Sequence, residues 1–262
     1  MWFHSFSSLE ERYLAAIVLD SLAFRSADQT KALMIQGLQR CIPQLLMNND
    51  YFDKYRGRWL ETLSKSSVPI RLVPVLRNGD GPGKSGHVVC REYSRLVGVN
   101  NKLIINPQDI SAAKADGVKL IVFVDDFLGT GQQFSKFYAQ VRGEFDESLT
   151  PVYIPLCAHE TGMYKVRGDF PELYLSAPES LSVCDGLFGE DHEVCPDGVN
   201  TYSSLKDLYI ELMRTRLGMD IDEPFGYGGL GMVYGFSHAT PNATLPLLWS
   251  KKNGNICLLN RS

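Results

Sequence analysis

The stretch Val118–Phe134, VKLIVFVDDFLGTGQQF, decides how this chain folds. Its first seven residues are nearly all apolar, which is typical of a strand whose two faces are both covered in a parallel sheet. Two adjacent carboxylates, Asp125 and Asp126, follow this strand, and a glycine-containing turn leads into a predicted helix over Gln132–Gly143. The stretch therefore predicts an α/β fold built on a parallel sheet.

Further elements are predicted on both sides of this stretch. Strands are expected at Val68–Val75, Lys102–Ile105, Pro151–Ala158 and Leu230–Phe236, and a helix at Val88–Val97. The order strand, helix, strand around the two carboxylates indicates a right-handed βαβ unit.

The first 65 residues have the spacing of helices rather than strands. One helix is expected to begin at a capping box formed by Ser8 and Glu11, a second covers about Asp28–Cys41, and a third covers about Tyr51–Ser64. We therefore expect a helical extension over residues 1–66 and an α/β domain with an elaborated C-terminal region over 67–262.

Composition limits the class of protein. The chain has 262 residues, of which 44% are apolar and 21% charged, so a wholly disordered chain is excluded. Its net charge of −4 does not favour wrapping a long duplex. No apolar run reaches the roughly 18 residues of a membrane helix. A cytoplasmic location with no membrane partner is expected.

The cysteines point to the same compartment. The sequence has 6 cysteines and no CxxC pair, which favours free thiols in a reducing cytosol. Cys184, His192 and Cys195 are residue types that bind zinc, but their spacing is unpaired and no fourth ligand is evident. An ordinary loop is the expected structure there.

The turn after the central strand combines two kinds of chemistry. In open α/β sheets, ligands bind at the carboxyl ends of the strands. Gly129, Thr130 and Gly131 allow backbone amides to converge at a helix N-terminus, which favours an anion. Asp125 and Asp126 suit the hydroxyls of a diol, or a nearby metal ion. A phosphate site beside a diol site matches a ribose 5-phosphate. The alternative is an aspartate that only caps the helix.

The strand, the two acids and the Thr-Gly turn together resemble the phosphoribosyl diphosphate motif of type I phosphoribosyltransferases. The resemblance implies a phosphoribosyltransferase-like, Rossmann-like fold in which Asp125 and Asp126 contact the ribose hydroxyls and act indirectly on Mg²⁺. It assigns the 5-phosphate to a loop made of Phe127, Leu128, Gly129, Thr130, Gly131 and Gln132. The chain departs from the family at Gln132-Gln133, where a small residue followed by Thr or Ser is common. This departure bears on phosphate affinity and on the substrate.

The same resemblance assigns diphosphate binding to a second loop. Family members have a diphosphate-binding loop after an earlier strand of the sheet, and Arg77–Gly86, RNGDGPGKSG, occupies that place in this chain. The residues predicted to hold the diphosphate are Arg77, Asn78, Gly79, Lys84 and Ser85. The alternative is an ordinary surface loop.

A closer resemblance involves two segments, Phe123–Gly131 and Ser237–Trp249. Both are similar to divergent phosphoribosyltransferase-like proteins of bacterial conflict systems, some of which are antiphage effectors encoded beside retron reverse transcriptases. This resemblance implies nucleotide-directed chemistry or nucleotide sensing in defence. It also implies a partner such as a reverse transcriptase–non-coding RNA complex or another defence subunit.

Three further residues are candidates for base or ribose contacts. Glu160 follows a predicted strand at the ligand edge of the sheet, where a general base is useful, although a solvated strand end is the alternative. His238 and Asn242 lie in a C-terminal segment rich in hydrogen-bonding groups, for which the alternative is a purely structural turn.

The function follows from these sites. The leading hypothesis is a transferase or N-glycosidase that acts at ribose C1 of phosphoribosyl diphosphate or a nucleotide, with Mg²⁺ as cofactor. A binding module that senses a nucleotide without turnover and a nucleobase-salvage phosphoribosyltransferase are the alternatives.

Overall fold

The computed structural model describes residues 2–76, 85–189, 198–218 and 223–261. The chain divides into two compact units. One is Ala27–Ser180, which we call the sheet unit, and the other combines Met1–Ser26 with Leu181–Ser262, which we call the terminal unit. The predicted boundary between residues 66 and 67 lies within the sheet unit. The division into a helical extension and one following domain stays a prediction.

Strands and helices alternate along much of the described chain. Its strands are β1 (Ala23–Arg25), β2 (Ile70–Pro74), β3 (Leu120–Leu128), β4 (Thr150–His159), β5 (Tyr174–Leu175), β6 (Glu179–Leu181) and β7 (Tyr234–Phe236). Its α-helices are α1 (Leu9–Asp20), α2 (Ala27–Gln36), α3 (Ile42–Leu45), α4 (Asp50–Asp53), α5 (Trp59–Leu63), α6 (Ser85–Glu92), α7 (Ile110–Ala115), α8 (Gln132–Val141), α9 (Glu160–Asp169) and α10 (Tyr202–Leu217). A π-helical turn continues α2 and another continues α6.

The sheet unit is built on a parallel sheet in the order β2-β3-β4-β5, with β6 also paired to β4. Leu120 in β3 lies opposite Ile70 in β2 and Thr150 in β4. Residues 120–126 of β3 are all buried, as expected for a strand covered on both faces. The α/β fold predicted from the central stretch is therefore confirmed.

An aromatic cluster holds α8 against this sheet. Phe123, at the middle of β3, has the rings of Phe134, Phe137 and Tyr138 within 5.5–6.1 Å of its own centroid. Phe134 in turn stacks on Tyr153 of β4 with centroids 3.7 Å apart and planes 3° apart. Because Phe134 lies in the first turn of α8, this stacking fixes where that helix begins.

The terminal unit joins the two ends of the chain. The short strands β1 and β7 pair in parallel, with Ala23 opposite Tyr234. The guanidinium of Arg216 in α10 donates to the carbonyl oxygen of Ser5 at 3.1 Å. Ser8 accepts a hydrogen bond from the amide of Glu11, so α1 begins at the predicted cap.

Several predicted elements differ from the observed ones. The predicted strand Lys102–Ile105 is wrong, because a 3₁₀ turn occupies Asn101–Leu103. The side chain of Asn100 accepts a hydrogen bond from the Lys102 amide and so caps this turn. Ile104 forms only a single β-bridge, to Leu72. The predicted helix Tyr51–Ser64 is two short helices, α4 and α5, with Gly57 at φ +75° between them. No helix of the described residues combines the length and apolar character needed to cross a membrane.

Candidate functional site

The candidate site lies where β3 ends and α8 begins. The strand is longer than predicted, because Asp125, Asp126, Phe127 and Leu128 all belong to it. Asp125 lies opposite Pro155 of β4, and the pairing continues to Leu128. The connecting loop is therefore Gly129–Gly131, two residues shorter at its start than the sequence predicts.

The two carboxylates are buried. Asp125 is 4% exposed and Asp126 is 7% exposed, and the Asp126 amide donates to Oδ1 of Asp125 at 2.9 Å. Burial of a charged carboxylate costs free energy unless partners compensate for the lost water. Buried acids at the ligand edge of a parallel sheet therefore mark this strand end as a candidate site.

Two ionisable groups near the acid pair, a tyrosine and a cysteine, have raised pKa values. Burial, together with the charges of Asp125 and Asp126, raises the pKa of Tyr153 well above its usual value. Burial and the charge of Asp125 also raise the pKa of the Cys90 thiol to about 12. Both groups are protonated at neutral pH.

The loop that follows suits an anion. Gly131 adopts φ +80° directly before α8, a left-handed conformation that glycine reaches without strain. The Thr130 hydroxyl accepts from the Gln132 amide at 3.5 Å. The first turn of α8, all of which is described, holds no acidic residue. No negative side chain within this turn therefore neutralises the positive N-terminal end of the helix dipole, which favours a bound phosphate.

Glu160, predicted as a base or ribose contact, is the exposed first residue of α9. The preceding His159 is 1% exposed and caps this helix, because its Nδ1 accepts from the Thr161 amide at 3.2 Å. Glu160 therefore lies immediately after β4, the neighbour of β3, at the same edge of the sheet.

The predicted diphosphate loop is mostly outside the described residues. Arg77, Asn78, Gly79 and Lys84 fall in that gap, and Ser85 is described only as the first backbone position of α6. Their role in binding a diphosphate stays a prediction.

His238 and Asn242 belong to the terminal unit. The side-chain oxygen of Asn242 accepts a hydrogen bond from the guanidinium of Arg261. The backbone carbonyl of Asn242 accepts one from the Tyr227 amide at 2.8 Å. The His238 ring lies 5.1 Å from the ring of Phe236. Contacts of these residues with a base or ribose stay predictions.

The donors available to a metal are few. Among the described residues no group of three His, Cys, Asp or Glu side chains could hold a metal ion. Mg²⁺ in phosphate-transfer sites is usually held by one or two carboxylates, water and the phosphates of the substrate. Asp125 and Asp126 fit a Mg²⁺ ion that arrives with a diphosphate. Of the three zinc-type residues, Cys184 is exposed, and His192 and Cys195 lie outside the described residues.

Sequence reasoning missed two residues beside the site. Tyr153 lies in a correctly predicted strand. The register of β3 with β4 places it opposite Phe123, and Phe123 precedes Asp125 by two positions. Gly162 lies in α9, a helix that was not predicted, next to the loop Gly129–Gly131. The signal for Gly162 is its i, i+4 spacing with the apolar Val166, which a helix would place on one face.

The model of the family PRTase-CE matches residues 1–261 of the chain. A search of curated proteins found no match. The chain is similar to a solved structure titled "Structure of AQ2163 protein from Aquifex aeolicus", with 14% sequence identity and a TM-score of 0.36. That similarity covers 68% of this chain and 86% of the other.

Proposed function

This chain belongs to the PRTase-CE family, which is phosphoribosyltransferase-like, and on that premise we propose that it binds a phosphoribosyl or nucleotide substrate at Asp125–Gln132. The proposed chemistry is cleavage or exchange of the bond at ribose C1. One observation carries the proposal: two adjacent buried carboxylates lie near the C-terminal end of β3, separated by two residues from a glycine loop and the N-terminus of α8.

Each part of this arrangement has a task in the proposed reaction. The carboxylates of Asp125 and Asp126 accept hydrogen bonds from the ribose hydroxyls, which orients the sugar. The amides of the loop Gly129–Gly131 donate to the 5-phosphate. With both ends of the pentose held, the bond from C1 to its leaving group breaks, and the leaving group departs with the electron pair. Negative carboxylates nearby stabilise the positive charge on the oxocarbenium-like sugar. A nucleobase nitrogen or a water oxygen then forms the new bond to C1.

Asp125 and Asp126 would hold, through water, a Mg²⁺ ion that arrives with the diphosphate of the substrate, and this ion would supply positive charge for a departing diphosphate. We expect a sugar 5-phosphate that lacks a diphosphate to bind without Mg²⁺, because the carboxylates and loop amides contact the pentose directly in this proposal.

A sensing function is the second candidate, and Gln132 and Gln133 favour it. Gln132 is exposed at the first position of α8, where the related enzymes commonly have a small residue. A longer side chain with an amide group reaches a bound phosphate directly. A contact made equally with the ground state and the transition state favours binding without raising turnover.

The test is the double substitution Asp125→Asn with Asp126→Asn, which keeps side-chain volume and removes the charges. We expect binding of phosphoribosyl diphosphate, measured by calorimetry with Mg²⁺, to weaken at least about 100-fold, on the scale of two lost charge-assisted contacts. Asp116→Asn is the control, because this exposed aspartate precedes the opposite end of β3. The melting temperature and circular dichroism establish that each variant is folded.

Product analysis separates the two candidates. Wild-type protein is incubated with phosphoribosyl diphosphate and mixed nucleotides, and the products are identified by mass spectrometry. A product that the double variant does not form supports catalysis, and persistent binding without product supports sensing. A folded double variant with unchanged binding and turnover would contradict the proposed site.

We also propose that this chemistry or sensing acts in bacterial antiphage defence, with a reverse transcriptase–RNA complex or another defence subunit as partner. The resemblance of Phe123–Gly131 and Ser237–Trp249 to conflict-system proteins supports this context. Phage plating on cells that carry the gene and its neighbours tests the idea, with the Asp125→Asn, Asp126→Asn variant as control. Location in an isolated nucleobase-salvage operon would contradict it.

A further inference from the structure

Helix α9 packs directly against the loop Gly129–Gly131 through Gly162. A β-carbon built on Gly162 would lie 2.2 Å from the carbonyl oxygen of Gly129 and 3.0 Å from its carbonyl carbon. It would also lie 3.0 Å from Cγ of Leu128. Two of these three atoms are backbone, so they move only if the loop itself moves. Any side chain at position 162 is therefore incompatible with the loop as it stands.

The contact is reciprocal at the other end of the loop. A β-carbon built on Gly131 would lie 3.1 Å from the carbonyl oxygen of Gly162 and 3.3 Å from Cγ2 of Val166. Gly162 and Val166 are one helical turn apart and both are buried. One face of α9 thus contacts the first and the last residue of the three-residue loop.

This contact controls the direction of an amide. The peptide bond is planar and trans, so the carbonyl of Gly129 and the N–H of Thr130 point in opposite directions. Since the Gly129 carbonyl oxygen lies against Gly162, the Thr130 N–H must point away from α9. In the proposed function, that amide is one of the groups that bind the 5-phosphate.

We propose that Gly162 is a positioning residue for this phosphate loop. Its lack of a side chain lets α9 approach the Gly129 carbonyl, and this approach fixes the Thr130 amide before a ligand arrives. The assignment of the loop to a phosphate rests on the proposed function, whereas the control of the loop by Gly162 does not.

A second glycine in the same helix provides the matched control. No described atom lies within 4 Å of a β-carbon built on Gly168, which is exposed on α9. Glycine inside a helix is less favourable than alanine, so Gly168→Ala should not destabilise α9. The requirement for glycine at 162 therefore comes from the loop and not from the helix.

The experiment compares Gly162→Ala with Gly168→Ala in the full-length protein. Backbone amide NMR without ligand follows Thr130 and Gly131, with Val122 and Val124 of β3 as reference signals. We expect Gly162→Ala to shift the loop signals and leave the strand signals in place. Calorimetry with ribose 5-phosphate as the probe should show at least a 10-fold loss of affinity. Gly168→Ala should change neither measurement.

The outcomes separate this inference from the proposed function. If wild-type protein does not bind ribose 5-phosphate, the phosphate assignment fails, and the NMR comparison still decides whether Gly162 positions the loop. Unchanged Thr130 and Gly131 signals in folded Gly162→Ala would overturn the inference.

If Gly162→Ala does not fold, Val166→Ala replaces it, because it removes part of the same contact surface without adding an atom. Faster hydrogen exchange at Thr130 and Gly131 in that variant supports the inference, and unchanged exchange overturns it.

Discussion

The sheet unit and the terminal unit of this protein are assembled in different ways. In the sheet unit, β2, β3, β4 and β5 lie side by side in the order in which they occur along the chain. In the terminal unit, β1 pairs with β7, and a hydrogen bond from Arg216 to Ser5 joins residues 211 positions apart. The first arrangement can be derived from neighbouring segments, whereas the second depends on closing a very long loop.

The two units share two features. The sheet unit has an aromatic cluster around Phe123 and a close backbone contact at Gly162. The terminal unit has a buried apolar cluster that includes Tyr209, and a close backbone contact of Gly226 with Ala243. We therefore expect large buried side chains and glycines at close contacts to limit stability in both units.

Truncation of Phe123 should have the largest effect on stability. Phe123→Ala removes a fully buried ring, and we expect a loss of about 3–5 kcal/mol in the free energy of unfolding, as for other buried phenylalanines. Urea denaturation measures this loss. Tyr164→Ala is the control, because Tyr164 is 87% exposed and its removal should change stability by less than about 0.5 kcal/mol. Equal effects of the two substitutions would contradict the assignment of Phe123 to the core.

A glycine pair tests the terminal unit in the same way. A β-carbon on Gly226 would lie 2.6 Å from the carbonyl oxygen of Ala243, and Gly226 also has φ +77°. Gly229 has φ +69°, but no described atom lies within 4 Å of its built β-carbon. We expect Gly226→Ala to cost about 3 kcal/mol, from backbone strain and overpacking together. Gly229→Ala should cost about 1 kcal/mol from strain alone.

The measurement for this pair is thermal or urea denaturation of both variants under identical conditions. A Gly226→Ala variant no less stable than Gly229→Ala would show that the close backbone contact does not limit the terminal unit.

The smallest expected effect concerns alkaline pH. Burial raises the pKa of Tyr153 in the sheet unit and of Tyr209 in the terminal unit. In the unfolded chain a tyrosine loses its proton near pH 10, while these two keep theirs in the folded state, so stability falls as the pH rises above 10. Each tyrosine should account for about 1.4 kcal/mol of the loss at pH 11.

Tyr153→Phe and Tyr209→Phe should each reduce that alkaline loss by the same amount, measured by urea denaturation at pH 9 and pH 11. At neutral pH Tyr209→Phe should cost about 1 kcal/mol, because the Tyr209 hydroxyl donates to the carbonyl of Pro224 at 2.6 Å. An alkaline loss that is identical in wild type and both variants would show that these hydroxyls ionise normally in the folded protein.

Much of the sheet unit could be predicted because its signals are local. The strands near Val68–Val75 and Pro151–Ala158 were predicted from apolar runs, and both are present as β2 and β4. The helices α3, α7, α9 and α10 were missed. In α9 only Gly162 and Val166 are buried, so its sequence lacks the apolar spacing that indicates a helix.

The candidate site also has one part that could be predicted from the sequence and one part that could not. Asp125, Asp126 and the glycines after them stand together in the sequence, and their chemistry follows from that order. The contribution of Gly162 and Tyr153 was not predicted, because each comes close to the loop or to the acids only through packing. The i, i+4 spacing of Gly162 with Val166 indicates a shared helical face, but it does not indicate the loop that this face contacts.

The buried central strand, the acid pair and the turn that follows could be derived from local sequence, since each depends on residues a few positions apart. Other features required the folded structure: the pairing of Ala23–Arg25 with Tyr234–Phe236, the contact of Gly162 with the Gly129 carbonyl, and the continuation of the strand to Leu128. The physical reason is that local patterns record which face of an element is apolar. The partner of that face is set by where the rest of the backbone runs.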